Sequence, residues 1–591
     1  MYNSLSKKNF FGRWEINIEK RLLVSAIVIN FAGIFIIARL FILMVLDHSF
    51  YKSVAANSQE VISELIPTRG VIYIQDSRNS EEYPLAINRD FFMVFADTRE
   101  IKDDETAEEV AKKLAQVFKY DDIKKLALYL NLNKRDDPYE PLEQKVNEDV
   151  IDEIKKLNLP GIHFIRKPER FYPEGNLAAS VVGFLGKDVK GFSVGRYGVE
   201  GYWHEELTGN GGIFVGARSA AGRLILLAPT SFKSPEDGSD ILLTIDRTLQ
   251  FKACERLRQG MEDYKAETAS LVIMEPFSGA ILAMCSLPDF DSNAYNEVDS
   301  VKVYNNSAIF NAYEPGSVFK PIVMAAALNE DVVKTATKFY DSGSAEAHCK
   351  KPIFNAGNKK YDEQTMVGVL ENSINTGMVF VVEKLGKEKF RKYAEDFGFG
   401  VKTGLELDSE SPGTLESLSK NKTNEFDCYT ATASFGQGIM VTPLQMAAAF
   451  SAIANGGALL KPNIIKEIRH SDGRVEYKKP KEIRRVIDSE TASLVSGMLV
   501  NVVDNGQAKS AKVKGYYVAG KTGTAQIAGP GGYTEDYNHS FAGFAPIENP
   551  KFVMVIKFEK PKVEYSANTA APVFSDIAEF VLQYYQIPPN R

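Results

Sequence analysis

The stretch YEPGSVFKP, residues 313–321, decides how the rest of the chain is read. Pro315 and Gly316 break the chain, and Ser317 then opens a segment, VFKPIVMAAALNE, whose composition is helical. Lys320 follows Ser317 by three residues, so on a helix both face one side and the lysine can reach the hydroxyl. Pro321 is tolerated, because the first-turn amides have no intrahelical partner. Alone the pair is weak evidence. S-x-x-K also occurs at Ser4 with Lys7 and at Ser417 with Lys420, where a polar tail and a loop explain it.

Two further motifs add weight. Ser373-Ile374-Asn375 sits in LENSINTGM, 56 residues after Ser317 (373 minus 317). Lys521-Thr522-Gly523-Thr524 follows the β-like run GYYVAG, 204 residues after Ser317 (521 minus 317). Either motif taken singly is commonly a turn. A second K-T-G, Lys402-Thr403-Gly404 in GFGVKTGLEL, has no strand-like lead-in and is expected to be a loop.

Working outward, the 591 residues are 44% hydrophobic and 25% charged, the proportions of an ordinary globular protein, so disorder, collagen and coiled-coil rods are excluded. A net charge of -7 removes the basic footprint of a nucleic-acid binder. Cys254, Cys285, Cys349 and Cys428 lie far apart with no C-x-x-C, which predicts buried free thiols rather than a disulfide framework or metal site. No cofactor and no metal is expected.

The apolar residues are unevenly spread. LLVSAIVINFAGIFIIA, residues 22–38, carries no charge, and after Arg39 the run resumes to Leu46, long enough to span a bilayer. Arg39 is close enough to the polar end at Asp47 to snorkel. Lys7, Lys8, Arg13, Lys20 and Arg21 precede the span, whereas Asp47 and only Lys52 follow it. The positive-inside rule therefore puts the N-terminus in the cytoplasm and the bulk of the chain outside the cytoplasmic membrane. No small-residue cleavage site follows directly, so an uncleaved single-pass signal anchor is expected.

Beyond the anchor, RGVIYIQD (69–76) and FFMVFADT (91–98) read as strands, and residues 100–159 as solvated amphipathic helices without chemistry of their own. The polar SFKSPEDGSD (231–240) marks a domain boundary. After it come a strand and helix in ILLTIDRTLQ, a hairpin in SLVIMEPFSGAILAM, helical stretches including residues 443–454, a strand in KFVMVIKFE (551–559) and a closing helix over 572–585. Strands at both ends with helices between them predict an α+β fold whose sheet is completed by distant parts of the chain.

The ordered set S-x-x-K, S-x-N, K-T-G is the signature of penicillin-binding proteins and serine β-lactamases. ASFGQGIMVTPLQMA (433–447), VAGKTGTAQ (518–526) and SFAGFAP (540–546) resemble the transpeptidase domain of a class B penicillin-binding protein. PTRGVIYIQD (67–76), RFYPEGNLAASVVGF (170–184) and GRYGVEGYWHEELTG (195–209) resemble that family's non-catalytic pedestal. The resemblance covers nearly the whole chain from the anchor onward, the charged residues 100–159 excepted. It implies a cytoplasmic tail (1–21), a transmembrane anchor (22–46), an elongated α/β pedestal (47–238) and a transpeptidase domain (239–591) built as an antiparallel sheet flanked by helices.

A serine hydroxyl needs a base within reach, and none of the six histidines sits in an obvious triad context, so Ser317 with Lys320 is the economical pair. An ordinary lysine is protonated, but burial and a second cation, Lys521, would push its pKa down. The resemblance implies peptidoglycan stem peptides ending in D-Ala-D-Ala as substrate, acylation of Ser317 with release of D-alanine, and resolution by a neighbouring strand's amine. It further implies Ser373 as proton relay, Asn375 on the substrate amide, Lys521, Thr522, Gly523 and Thr524 at the substrate, and backbone N–H groups of Ser317 and Thr524 at the oxyanion. It implies acylation by β-lactam antibiotics, and as partners a SEDS-family glycan polymerase and other cell-wall assembly proteins.

Alternatives stay open at this stage. A β-lactamase is disfavoured by the lack of a clear E-x-x-L-N after Asn375 and by the long pedestal. A D,D-carboxypeptidase uses the same serine with water, a bifunctional enzyme would need a glycosyltransferase domain, and a non-turnover β-lactam receptor or scaffold would bind without catalysis. Within class B, YEPGS and SINTG lean towards the septal, division type over the elongation type.

Overall fold

The computed structural model describes residues 12–48, 60–218, 224–225, 231–420, 425–529, 531–589 and 591. Lys7, Lys8 and Lys52, used above to orient the anchor, lie outside them. A helix runs Gly12–Phe41 and continues as a π-helical turn over Ile42–Leu46. Its apolar part, Arg21–Leu46, has a mean hydropathy of 2.5 over 26 residues and none of it is buried by protein. At about 1.5 Å per residue it reaches about 39 Å, more than a bilayer's hydrocarbon core needs. Among the described residues it is the one helix long and apolar enough to cross a membrane.

Two compact units emerge from the packing, residues 1–67 with 210–236 and residues 68–209 with 237–591. Beyond the apolar helix, the smaller unit holds a short antiparallel sheet in which Gly212–Arg218 lies between Glu60–Leu65 and Ser231–Lys233.

The larger unit contains two main sheets. In the first, Ile72–Gln75 pairs parallel with Asp240–Asp246 and antiparallel with the long strand Glu82–Ala96, while Ile465–Arg469 extends the sheet beyond Asp240–Asp246. Three stretches noted in the sequence meet beside it. Arg69 and Arg170 both bind the carboxylate of Glu200, which is wholly buried, with Arg170 Nε 2.7 Å from Oε1 and Arg69 Nε 2.9 Å from Oε2. Burial alone would push the Glu200 pKa up, but the two guanidiniums outweigh it and hold the group below its ordinary value.

Residues 100–159 form the helices Asp104–Val117, Asp122–Leu132 and Glu148–Lys156, the first two N-capped by Asp103 and Asp121. Val110, Leu114, Leu128, Leu132, Ile151 and Ile154 close a small core with Val94. The expectation of helices alone missed Glu140–Val146, a strand that exists because the edge of Glu82–Ala96 offers it a partner.

The second sheet is antiparallel throughout, in the order Ile281–Leu287, Thr268–Met274, Phe552–Glu559, Gly532–Ala545, Ala519–Gly529. Helices cover both faces. Ala570–Tyr584 and Arg247–Asp263 pack on one, where Phe541 meets Phe574 at 4.6 Å and Gly260 lets Phe558 and Val573 approach. On the other lies Pro443–Ala454, opened by a Thr442–Gln445 capping box, with Ser489–Asp504 beside it and Lys320–Asn329 packed against that helix. Lys320–Asn329 is buried from Lys320 to Leu328, so it has no solvent face and its Met and Ala residues are core.

The cysteine expectation is overturned. Cys254 is bonded to Cys285 and Cys349 to Cys428, with Cα separations of 5.5 and 4.9 Å. The partners stand 31 and 79 residues apart, and only the packing of Arg247–Asp263 on Ile281–Leu287 and the fold around Cys428–Ala433 bring them together. Local spacing carried no trace of either pair.

Candidate active site

Ser317 lies in a single 3-10 turn, Gly316–Phe319, from which the helix Lys320–Asn329 continues with Pro321 in its first turn. Gly316 adopts φ +58°, and its N–H donates to the Gly436 carbonyl at 3.0 Å. A Cβ at Gly436 would stand 2.2 Å from the Gly316 oxygen, so the two loops touch only because both residues are glycine. Ser317 is left half-exposed where this turn packs beside the strand Ala519–Gly529.

Lys320 is fully buried. Its Nζ donates to the Ser373 carbonyl at 2.6 Å, to Asn375 Oδ1 at 2.8 Å and to Ser373 Oγ at 3.2 Å. The S-x-x-K and S-x-N motifs therefore meet at one nitrogen. Among the described residues that nitrogen makes no hydrogen bond to Ser317 Oγ, and such contacts are often long before substrate binds. Burial first, and the nearby Lys521 cation second, push the Lys320 pKa well below the usual lysine range.

Ser373 sits at φ +56° in the turn joining Met366–Glu371 to Asn375–Leu385, a left-handed conformation costly for a serine. That turn delivers both Ser373 and Asn375 to Lys320. Asn375 Nδ2 donates to the Phe354 carbonyl at 3.0 Å, which fixes the amide with its oxygen towards the lysine.

Lys521 comes from the strand Ala519–Gly529 and is fully buried, its Nζ 3.1 Å from the Thr522 carbonyl and 3.4 Å from Thr522 Oγ1. Burial pushes its pKa down to about 7. Gly523 is obligatory, because a Cβ there would stand 2.7 Å from the Pro315 carbonyl and 2.6 Å from Ser540 Oγ, so nothing larger lets this strand approach the Ser317 loop. Thr524 pairs through Oγ1 with Ser566 Oγ at 3.1 Å and Ser566 N at 3.3 Å. The second K-T-G is a loop in which Glu410 accepts from Thr403 and Gly404, and Lys402 is exposed.

Two buried carboxylates were given no role from sequence. Glu314, inside the quoted YEPGS, accepts from Gly438 N at 2.9 Å and Tyr533 Oη at 3.0 Å, and burial raises its pKa. Asp341 accepts from Thr376 Oγ1 at 2.7 Å and Asn355 Nδ2 at 2.8 Å, anchoring the segment that carries Phe354. Glu314 stood in plain sight three residues before Ser317, whereas no sequence signal ties Asp341 to Asn375.

Comparison with known proteins follows this geometry. Residues 269–579 match the family model described as penicillin binding protein transpeptidase domain, and residues 64–243 the penicillin-binding protein dimerisation domain. Stage V sporulation protein D of Bacillus subtilis is 36% identical over 536 residues, covering 89% of this chain and 79% of that protein. The peptidoglycan D,D-transpeptidase FtsI of Escherichia coli K12 is 30% identical, covering 90% and 86%. Penicillin binding protein 3 of Mycobacterium tuberculosis, solved in complex with ampicillin, superposes with a TM-score of 0.67 at 26% identity, covering 89% of this chain and 97% of that one.

Proposed function

This chain belongs to the class B penicillin-binding proteins, serine-type peptidoglycan D,D-transpeptidases, and from that premise we propose how its residues divide the reaction. Ser317 Oγ attacks the carbonyl of the penultimate D-alanine while Lys320, kept neutral by burial and by Lys521, takes the hydroxyl proton. The peptide bond breaks, the proton passes through the Ser373 hydroxyl to the leaving nitrogen, and D-alanine departs. The stem peptide is left as an ester on Ser317. An amine from a neighbouring strand then attacks that ester, an amide forms, and the proton it sheds returns to Ser317 by the same relay.

Asn375 holds the donor peptide's amide. Lys521, Thr522, Gly523 and Thr524 receive its terminal carboxylate, and the N–H groups of Ser317 and Thr524 receive the oxyanion. The observation that carries this reading is the buried Lys320 Nζ, bonded at once to Ser373 and Asn375, with its pKa pushed down by burial and by Lys521. The family binds D-Ala-D-Ala peptides and β-lactams. A β-lactam opened by Ser317 would give the same ester without a leaving group.

YEPGS and SINTG support assignment to septal wall synthesis. A transpeptidase without its own polymerase acts on strands made by another protein, which supports a SEDS-family polymerase as membrane partner. Basic residues before the span support a cytoplasmic N-terminus. Covalent labelling with a fluorescent penicillin tests the core of the reading. Wild type is expected to label and Ser317→Ala not at all, and a labelled Ser317→Ala protein would remove the nucleophile.

A further inference from the structure

His539 has no part in the reaction above, yet among the described residues it is the one histidine wholly withdrawn from solvent. It stands on Gly532–Ala545 directly across from Thr524, the fourth residue of K-T-G-T. Two residues on, Phe541 packs against Phe574, so by strand alternation His539 faces the same helical layer, just where residues 564–569 lead into Ala570–Tyr584.

Its hydrogen bonds lead back to the site. Nδ1 lies 2.9 Å from Oγ1 of Thr569, which is also fully buried. The Thr569 hydroxyl has one proton, and its alternative acceptor, the Ser566 carbonyl, is farther at 3.5 Å. With either ring tautomer the Nδ1–Oγ1 contact ties His539 to Thr569. Nε2 is buried without a hydrogen-bond partner, and the Glu564 backbone stands close enough to the ring to act on its protonation. Burial keeps the ring neutral, its pKa pushed down to about 4. One imidazole therefore contacts both ends of residues 564–569, and Ser566 in the middle of that segment holds Thr524 Oγ1 through its N–H and its hydroxyl.

We propose that His539 is a positioning residue for substrate binding: it braces residues 564–569 so that Ser566 fixes the Thr524 oxygen for the substrate's terminal carboxylate. The bond from Ser566 N–H holds that oxygen in place while its proton stays free to turn from Ser566 Oγ to an arriving carboxylate. The inference rests on the reading of Thr524 as a carboxylate-binding residue. It adds a second layer, supplied by a different part of the chain, behind the K-T-G-T strand.

The test uses the full-length protein in detergent, acylated by a fluorescent penicillin over a concentration series that separates half-saturation from the limiting rate. Thr569→Val and His539→Phe should each raise the half-saturation concentration about three- to tenfold, the loss of roughly one hydrogen bond, with the limiting rate within about twofold. His539→Asn keeps an acceptor near the Nδ1 position and should stay within about twofold of wild type. With the methyl ester of the same penicillin, which lacks the carboxylate, all four proteins should react alike. Unchanged half-saturation in Thr569→Val, or an equal loss with the ester, would overturn the brace. Thr569→Val is nearly isosteric and leaves His539 in place, so it decides the matter if His539→Phe does not fold. A labelled Ser317→Ala protein would instead remove the catalytic reading, whereas a failed brace leaves Ser317 untouched.

Discussion

Lys320 and Lys521 share a pocket from which water is excluded, and that shared burial sets the pH at which the site can work. On the proposed reading the base must be neutral, and burial first and the Lys521 cation second make a charge on Lys320 costly. Lys521→Ala should slow acylation about a hundredfold or more, since it removes both a carboxylate partner and a cation beside the base. It should also move the acidic limb of the pH–rate profile upward, because without the Lys521 charge the Lys320 pKa rises and more alkaline solution is needed to free it. A limb that stays put or moves down would show that Lys521 does not tune Lys320. Lys402→Ala should stay within about twofold of wild type, and a loss matching Lys521→Ala would mean that the wrong K-T-G was chosen. The meeting of Lys320 with Ser373 and Asn375, near Lys521, was legible because each residue lies in a motif a few residues long. Glu314 was half-legible: its partners Gly438 and Tyr533 lie 124 and 219 residues away, and nothing local announces them. His539 was hidden for another reason: Thr524 and Thr569 lie only 15 (539 minus 524) and 30 residues away, but its surroundings become special only when two strands align.

Elements were legible wherever local chemistry and final packing agree. Pro443–Ala454 was read to the residue because its proline, capping threonine and apolar run all favour one helix. Agreement fails where an element depends on a distant neighbour, as Glu140–Val146 does, and where a bond joins segments that know nothing of each other, as the disulfides do. The Cys349–Cys428 bridge ties the excursion after Asp341 to the start of Cys428–Ala433 across 79 residues. Replacing both cysteines by serine should cost about 4.5 kcal/mol by the chain-entropy estimate, read as a lower urea midpoint of the purified protein. An unchanged midpoint would show that the link constrains nothing the fold does not already hold. Because Phe354 lies in that excursion and holds Asn375, the reduced protein should also acylate more slowly.

On the scale of the whole chain, α+β class and a sheet completed by distant strands were legible from the order of apolar runs, and its antiparallel pairing only through the family resemblance. The parallel pairing of Ile72–Gln75 with Asp240–Asp246 was not, since parallel partners need no turn between them and leave no turn signature. Membrane orientation belongs to this scale too. A periplasmic-type reporter fused after residue 591 should be active and a cytoplasmic-type reporter silent, and the reverse result would overturn the proposed topology.

The strand order of the antiparallel sheet has a consequence for biosynthesis. Thr268–Met274 and Ile281–Leu287 are made early, yet the strand carrying Lys521 reaches them only through Phe552–Glu559, which pairs directly with Thr268–Met274. A nascent chain that already displays Ser317 and Lys320 therefore lacks a seated Lys521 until residue 559 has emerged. Stalled or proteolysed chains that end earlier keep the nucleophile without a seated second lysine.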